Sequence, residues 1–362
     1  MRCSASARLL TRTAFSAFLI LLAIAGLRAQ GSRSDKFIVK PLSLPGANGL
    51  VMLDYFAYDH GRRRLWVPAA NTGSVDVIDT TTDQIQRIEG FPVTQVEFKG
   101  KQRAVGPSSV AIGEGVVYVG SRADSRICII DARTLKLGKC IAFAPASAGL
   151  SSAPDGLMYI GATKELWATS GAPPVGIPAA DRSIKILAAS STDLTPSGKI
   201  PLPGSAEGYA VDNTHGRFYT NLEETGQTVA VDVRKRAVVS TWRSCEDPSG
   251  VAVDSKRGFV FVACGGDHVI VLDTAHDGHI VGSIAAGAGV DNIDYVEDSE
   301  TLYVAAAEAA QLTIAHVDDH GKPTAVAVVP TTKGTRSVVA GAEGVTYLID
   351  PLGGNILKVS SK

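Results

Sequence analysis

One unit recurs seven times along this chain of 362 residues, and that repetition limits the possible folds more than any other feature. Its clearest copy runs from Arg64 to Asp79, RLWVPAANTGSVDVID: an apolar run, a turn rich in Asn and Gly, then an alternating run that ends on Asp. The segment from Gly115 to Asp131, GVVYVGSRADSRICIID, repeats it. Further copies begin at Gly216, Gly258 and Thr301, a looser one at Leu157, and a last one spans Gly344 to Asp350. Short β-rich runs bounded by Gly, Pro, Asn and Asp read as antiparallel strands joined by turns. Helical periodicity is absent after the N-terminal segment.

Each unit has room for a four-stranded meander. The third strands end at Asp79, Asp131, near Ala188, Asp232, Asp273, near Val317 and near Lys358, so successive ends lie 41 to 57 residues apart. That is the length of a propeller blade, and a closed ring removes the exposed sheet edges that so many short strands would otherwise present. The expected fold is therefore all-β, a seven-bladed β-propeller of four-stranded antiparallel blades. The last unit lacks a fourth strand, whereas Lys36 to Leu42, KFIVKPL, is a spare one near the other end. It is expected to complete blade seven and lock the ring.

The stretch LWVPAAN followed by SVDVID resembles the YVTN-type repeat of YncE-like β-propellers, a group adjacent to the lactonase and gluconolactonase-like propellers. The resemblance covers nearly the whole chain after its first thirty or so residues. It implies the propeller, and it says little about activity, because one fold hosts many functions.

The N-terminus reads as a secretory signal over residues 1–29, leaving 30–362 as a single propeller domain. Arg2, Arg8 and Arg12 precede an apolar stretch from Ala14 to Leu27, and no acidic residue occurs before Asp35. Leu27-Arg28-Ala29 supplies a cleavage site after Ala29. The apolar run is shorter than the ~20 residues that span a bilayer, so no membrane span is expected after cleavage. Loss of Arg2, Arg8, Arg12 and Arg28 takes the net charge from −1 to about −5. A mildly acidic, periplasmic or secreted protein has no electrostatic attraction to nucleic acid. A monomer is expected.

Four of the five cysteines remain after cleavage, an even number that suits disulfides in an exported chain. Cys128 and Cys140 are equidistant from Thr134, the middle of a turn between the third and fourth strands of blade two, so they face each other. Cys245 precedes the first strand of blade five and Cys264 ends its second, which brings both to one rim. The expected bridges are Cys128–Cys140 and Cys245–Cys264. The CxxC spacing of a zinc site is missing.

In a propeller the first strand of each blade, strand A, lines the central channel. Aligning these strands gives a leading residue in each: Asp54, Ser108, Asp155, Glu207, Ser249, Asp291 and Arg336. All seven are polar, although the positions after them are mostly apolar. Four carboxylates at one opening would raise each other's pKa or recruit a cation. Oxygen ligands from Asp54, Asp155, Glu207 and Asp291 would suit Ca²⁺ or Mg²⁺. Arg336 would pair with Asp54 or Asp291 across the ring closure, or hold a ligand carboxylate. The plainer expectation is a water-filled channel in which these groups bond the turns into strand A. Glu246 and Asp247 add acidity to the rim, and Tyr55, Tyr209 and Asn292 follow ring positions. The Pro- and Gly-rich segment 168–181 falls between strands B and C of blade three, either as a lid over the mouth or as a surface insertion.

Two functions fit this pattern. The first is an exported binding propeller that holds a small polar ligand, a metal ion or a protein partner at an acidic central mouth. The second is a lactonase-like hydrolase in which a divalent cation on the ring carboxylates polarises the lactone and activates water. Neither Gly-x-Ser-x-Gly nor His-Glu-x-x-His occurs, and most histidines fall in turns, so serine-hydrolase and zincin chemistry lack support. The Ala-Gly-Ala-Gly run near Gly287 has no helix after it and is no dinucleotide fingerprint.

Overall fold

Both faces of every blade are buried, which is why the inner strands read as unbroken apolar runs. A computed structural model describes residues 33–98, 100–145, 152–170 and 182–362, so the expected signal over 1–29 and residues 171–181 of the Pro- and Gly-rich segment, read as a lid or a surface insertion, lie outside the described residues. Its strands form seven four-stranded antiparallel sheets and one two-stranded hairpin. The A strands are Ala57–Asp59, Pro107–Ile112, Pro154–Ile160, Ala206–Asp212, Pro248–Asp254, Val290–Val296 and Val338–Ala340. Strands B, C and D follow outward in order within each blade. No helix among the described residues is long and apolar enough to cross a membrane.

Second strands such as Val116–Ser121 and Phe259–Cys264 are buried at every residue. Outer strands such as Gln84–Glu89 and Ala237–Arg243 alternate between exposed and covered positions. The difference follows from position: a middle strand has a neighbouring blade on each face, while strand D faces solvent at the rim. The core is accordingly seven clusters, one at each blade–blade interface. Leu65, Val67 and Ile78 of blade one meet Tyr347, Ile349 and Ile356 of blade seven at the closure. Phe261 and Val271 of blade five meet Leu302 and Val304 of blade six. Each fully covered side chain of this size contributes about 1.5–3 kcal/mol relative to exposure.

The N-terminal strand closes the ring. Phe37–Ser43 pairs antiparallel with Asn355–Ser361, from Phe37 opposite Ser361 to Ser43 opposite Asn355, as the outermost strand of blade seven. Lys40 and Lys358, one from each of these paired strands, bind the two oxygens of Asp83 in blade one at 2.7 and 2.6 Å. Strand C ends on Asp for a local reason. The carboxylates of Asp79, Asp131, Asp232 and Asp273 accept from N–H groups two or three residues on, which fixes the turn into strand D.

Both disulfides form as expected. Cys128 and Cys140 are directly opposite in strands C and D of blade two, and Cys245 joins Cys264 at the end of strand B of blade five. One element was not expected from the repeat. Between blades one and two, Thr94–Phe98 and Lys101–Val105 pair as an extra hairpin.

Candidate functional site

The ring residues hold one register in the fold. Ser108, Asp155, Glu207, Ser249 and Asp291 are each the second residue of strand A, immediately before or at a bulge in its pairing with strand B. Asp54 and Arg336 precede the two shortest A strands, those of blades one and seven, which are three residues each. Each bulge frees the second residue from the regular pleat of strand A.

Long side chains link five of these blades. Arg336 reaches Asp54 at 3.1 Å on one side and Asp291 at 3.5 Å on the other, so it takes both partners that its position offers. It also donates to the Leu53 carbonyl at 3.3 Å. Arg122, from the turn after strand B of blade two, ion-pairs with Asp155 and lies 3.9 Å from Asp54. The result is an alternating chain, Asp291–Arg336–Asp54–Arg122–Asp155, across blades six, seven, one, two and three. Asp155 is almost wholly covered, whereas a third of the Arg336 side chain is open to solvent. The neighbouring carboxylates, Asp54 foremost, hold the Arg336 guanidinium charged by raising its pKa.

The extra hairpin delivers a third arginine to this end. Arg103 shares a small cavity with Asp54, Ser108 and Arg122. Burial, then repulsion from Arg122 and Arg336, lowers its pKa. The mouth is therefore not simply acidic: the seven aligned positions carry four acids and one base, and Arg103 and Arg122 add two bases that the alignment did not reach. Their signals were present in the sequence. The step from Asp79 to Asp131 exceeds the usual blade spacing, and TQVEFKGKQRAV has the alternation and central Gly of a hairpin. Arg122 sits in a strand B-to-C turn, which emerges on the ring face.

Glu207 stands apart from the arginine chain. Its carboxylate accepts a short hydrogen bond from the Tyr55 hydroxyl across the channel. Burial pushes it up to about 7, with further upward pressure from Asp291 and Asp54. Burial raises Asp291 as well, against the pull of Arg336. Tyr209, the residue two after Glu207, packs its ring 5.6 Å from that of Tyr55 and shares a 2.7 Å bond with the Thr169 hydroxyl. Asn292 donates to Ser337 at 3.3 Å.

The two serines differ from the acids. Ser249 donates its hydroxyl to the Asp291 carbonyl at 2.9 Å, a contact between strands rather than toward the mouth. Ser108 is buried, and its hydroxyl has no hydrogen-bond partner among the described residues. Among the described residues, no three His, Cys, Asp or Glu side chains converge as a metal-ligand set. Glu246 and Asp247 are exposed on the blade-five rim.

No protein-family model matches the chain, and no curated protein matches it. Solved structures do. A chain from a crystal structure of the mitotic checkpoint complex is similar at a TM-score of 0.69 with 12% identity, covering 100% of this chain and 99% of that one. Hydrazine synthase of Kuenenia stuttgartiensis gives a TM-score of 0.66 at 14% identity, covering 88% and 99%. A streptogramin B lyase structure gives 0.65 at 10% identity, covering 91% and 99%. At these identities the likeness shows the propeller alone.

Proposed function

We propose that this chain is an exported binding propeller that holds a small polar ligand at the ring mouth, in the periplasm or outside the cell. The observation that carries this reading is the alternating chain from Asp291 to Asp155 with Arg103 beside it. Interleaved guanidinium and carboxylate groups offer donors and acceptors together, which matches a ligand bearing both, such as a hydroxy acid, an amino acid or a sugar acid. Tyr55 and Tyr209 supply the apolar floor. The two disulfides suit an oxidising compartment, and the YncE-like repeat is compatible with a binding role.

The test is calorimetric titration with a panel of those three ligand classes. At least one member binds the wild type, and Arg336→Gln weakens it by about tenfold or more, the loss of one charge-assisted contact. A panel without any binder, or a variant that binds as the wild type does, removes this reading.

A second reading is supported by the mutual repulsion of Glu207, Asp54 and Asp291. A divalent ion, Ca²⁺ or Mg²⁺, would relieve it, and would supply the Lewis acid of a lactone hydrolase. The streptogramin B lyase is a propeller enzyme, so the architecture is compatible with catalysis. Elemental analysis and melting with added Ca²⁺ or Mg²⁺ separate the two readings: bound metal that is lost in Asp291→Asn and Glu207→Gln favours the hydrolase, and neither occupancy nor stabilisation removes it.

A further inference from the structure

Beneath the ring the channel encloses a cavity of about 430 Å³, within the range of small-molecule sites. Its wall repeats like the rest of the fold. Three residues beyond each ring position come Ala57, Ala111, Met158, Ala210, Ala252 and Val339, all apolar and all lining the cavity. Blade six alone breaks the belt, with Asp294 at the equivalent position. An apolar residue would fill that place as it does in the other blades.

The Asp294 carboxylate is held in one orientation. One oxygen accepts from Tyr295 N at 2.8 Å, and the other from Ala340 N of blade seven at 2.7 Å. Each oxygen keeps a further lone pair. Two amide donors orient the group without neutralising it, and neither Lys nor Arg lines the cavity among the described residues. Among the described residues, the only other charged or titratable side chains on its wall, tyrosines aside, are Asp54 at the ring end and His60, which is exposed. The lumen thus combines an apolar belt, a fixed carboxylate and no cationic Lys or Arg among its described lining residues. A half-buried carboxylate that faces a lumen without a cation is unfavourable, and a ligand that brings the cation offsets that cost.

We propose that the lumen is a second binding site, adjoining the ring mouth at Asp54, Tyr55 and Tyr209, for a small organic cation whose ammonium rests on Asp294 and whose hydrocarbon body packs on Met158 and Val339. It rests on Asp294 and not on the arginines of the mouth.

Benzylamine is the probe, with benzyl alcohol as its uncharged counterpart. Titrations are made at about pH 8, above the value of about 6 to which burial raises Asp294. Benzylamine binds the wild type at one site, and the alcohol binds about tenfold or more weaker. Asp294→Asn keeps an acceptor for Ala340 N; it loses amine affinity by a similar factor and leaves the alcohol unaffected. Met158→Trp narrows the lumen where the hydrocarbon body would pack and weakens both, which keeps the test open if Asp294→Asn fails to fold. Three results overturn the proposal: no amine binding by the wild type, unchanged amine binding in Asp294→Asn or Met158→Trp, or loss in Glu207→Gln with retention in Asp294→Asn, which would place the amine at the ring.

Discussion

The ring is built differently on its two sides. Over blades four, five and six the A strands meet backbone to backbone. A Cβ on Gly208 would sit 2.0 Å from the Ser249 carbonyl oxygen, and one on Gly250 would sit 2.5 Å from that of Asp291. Around the closure, blades seven and one have the shortest A strands, and Arg336, Asp54, Arg122 and Arg103 occupy the space. Backbone hydrogen bonds cross the closure side too, from Asn292 N to the Arg336 carbonyl and between Tyr55 and blade two, but there the A strands are short and long polar side chains stand beside them. The charged side chains of the mouth are therefore gathered on one side, around the junction of blades seven and one.

The ring is most sensitive at the seam itself. Removing residues 30–43 takes the outer strand of blade seven and exposes the edge of Asn355–Ser361. The cooperative thermal transition should disappear; a truncated chain that still melts cooperatively near the wild-type temperature would contradict the closure. On the tight side, Gly208→Ala combines a steric clash with a φ of +69°, and should cost about 3 kcal/mol or more by chemical denaturation. On the open side, Arg122→Met leaves the covered Asp155 without its cation, for a loss of about 2–3 kcal/mol. A double variant with Asp155→Leu should recover part of that loss, whereas a tight-side clash has no such rescue.

Acid–base behaviour sharpens the contrast. In the folded chain Glu207 holds its proton up to about 7, where the unfolded chain has already released it. Folding therefore gains stability as pH falls through about 7 toward the ordinary carboxyl range, and loses it as pH rises. The turn aspartates Asp79, Asp131, Asp232 and Asp273 act oppositely, being lowered chiefly by hydrogen bonds from their own turns, with burial opposing at Asp273. Their contribution is present above the ordinary carboxyl range and is lost as pH falls below it. Melting temperature should thus rise from about pH 8 to about pH 5.5 and decline below about pH 4. Asp294 and Asp76, both raised by burial to about 6, share this limb, so Glu207→Gln should reduce its slope and exceed the wild type at about pH 8; an unchanged limb would remove Glu207 as a source. The smallest effect belongs to the exposed Lys40, where Lys40→Met should cost less than about 1 kcal/mol.

Much of this was legible in the sequence because propeller geometry is repetitive. Third-strand ends expected at Asp79, Asp131, Asp232, Asp273 and Val317 fall on strand ends. Symmetry about Thr134 placed Cys128 opposite Cys140. The ring register was legible for the same reason, since one alignment fixes seven equivalent positions. Arg103 and Arg122 escaped because they belong to what the repeat does not encode: an inserted hairpin and an ordinary turn. The pairing of Glu207 with Tyr55 escaped because it crosses the channel between blades four and one, a contact set by ring closure and not by spacing along the chain.

The side of the ring around blades seven and one is the proposed working end of the molecule. The most direct test of that assignment is the affinity of the tightest-binding panel member for Arg336→Gln and Arg103→Gln, set against Glu246→Gln on the exposed rim of blade five. Both arginine variants should lose about tenfold or more while Glu246→Gln binds as the wild type does. Full affinity in the arginine variants, or an equal loss in Glu246→Gln, would contradict it.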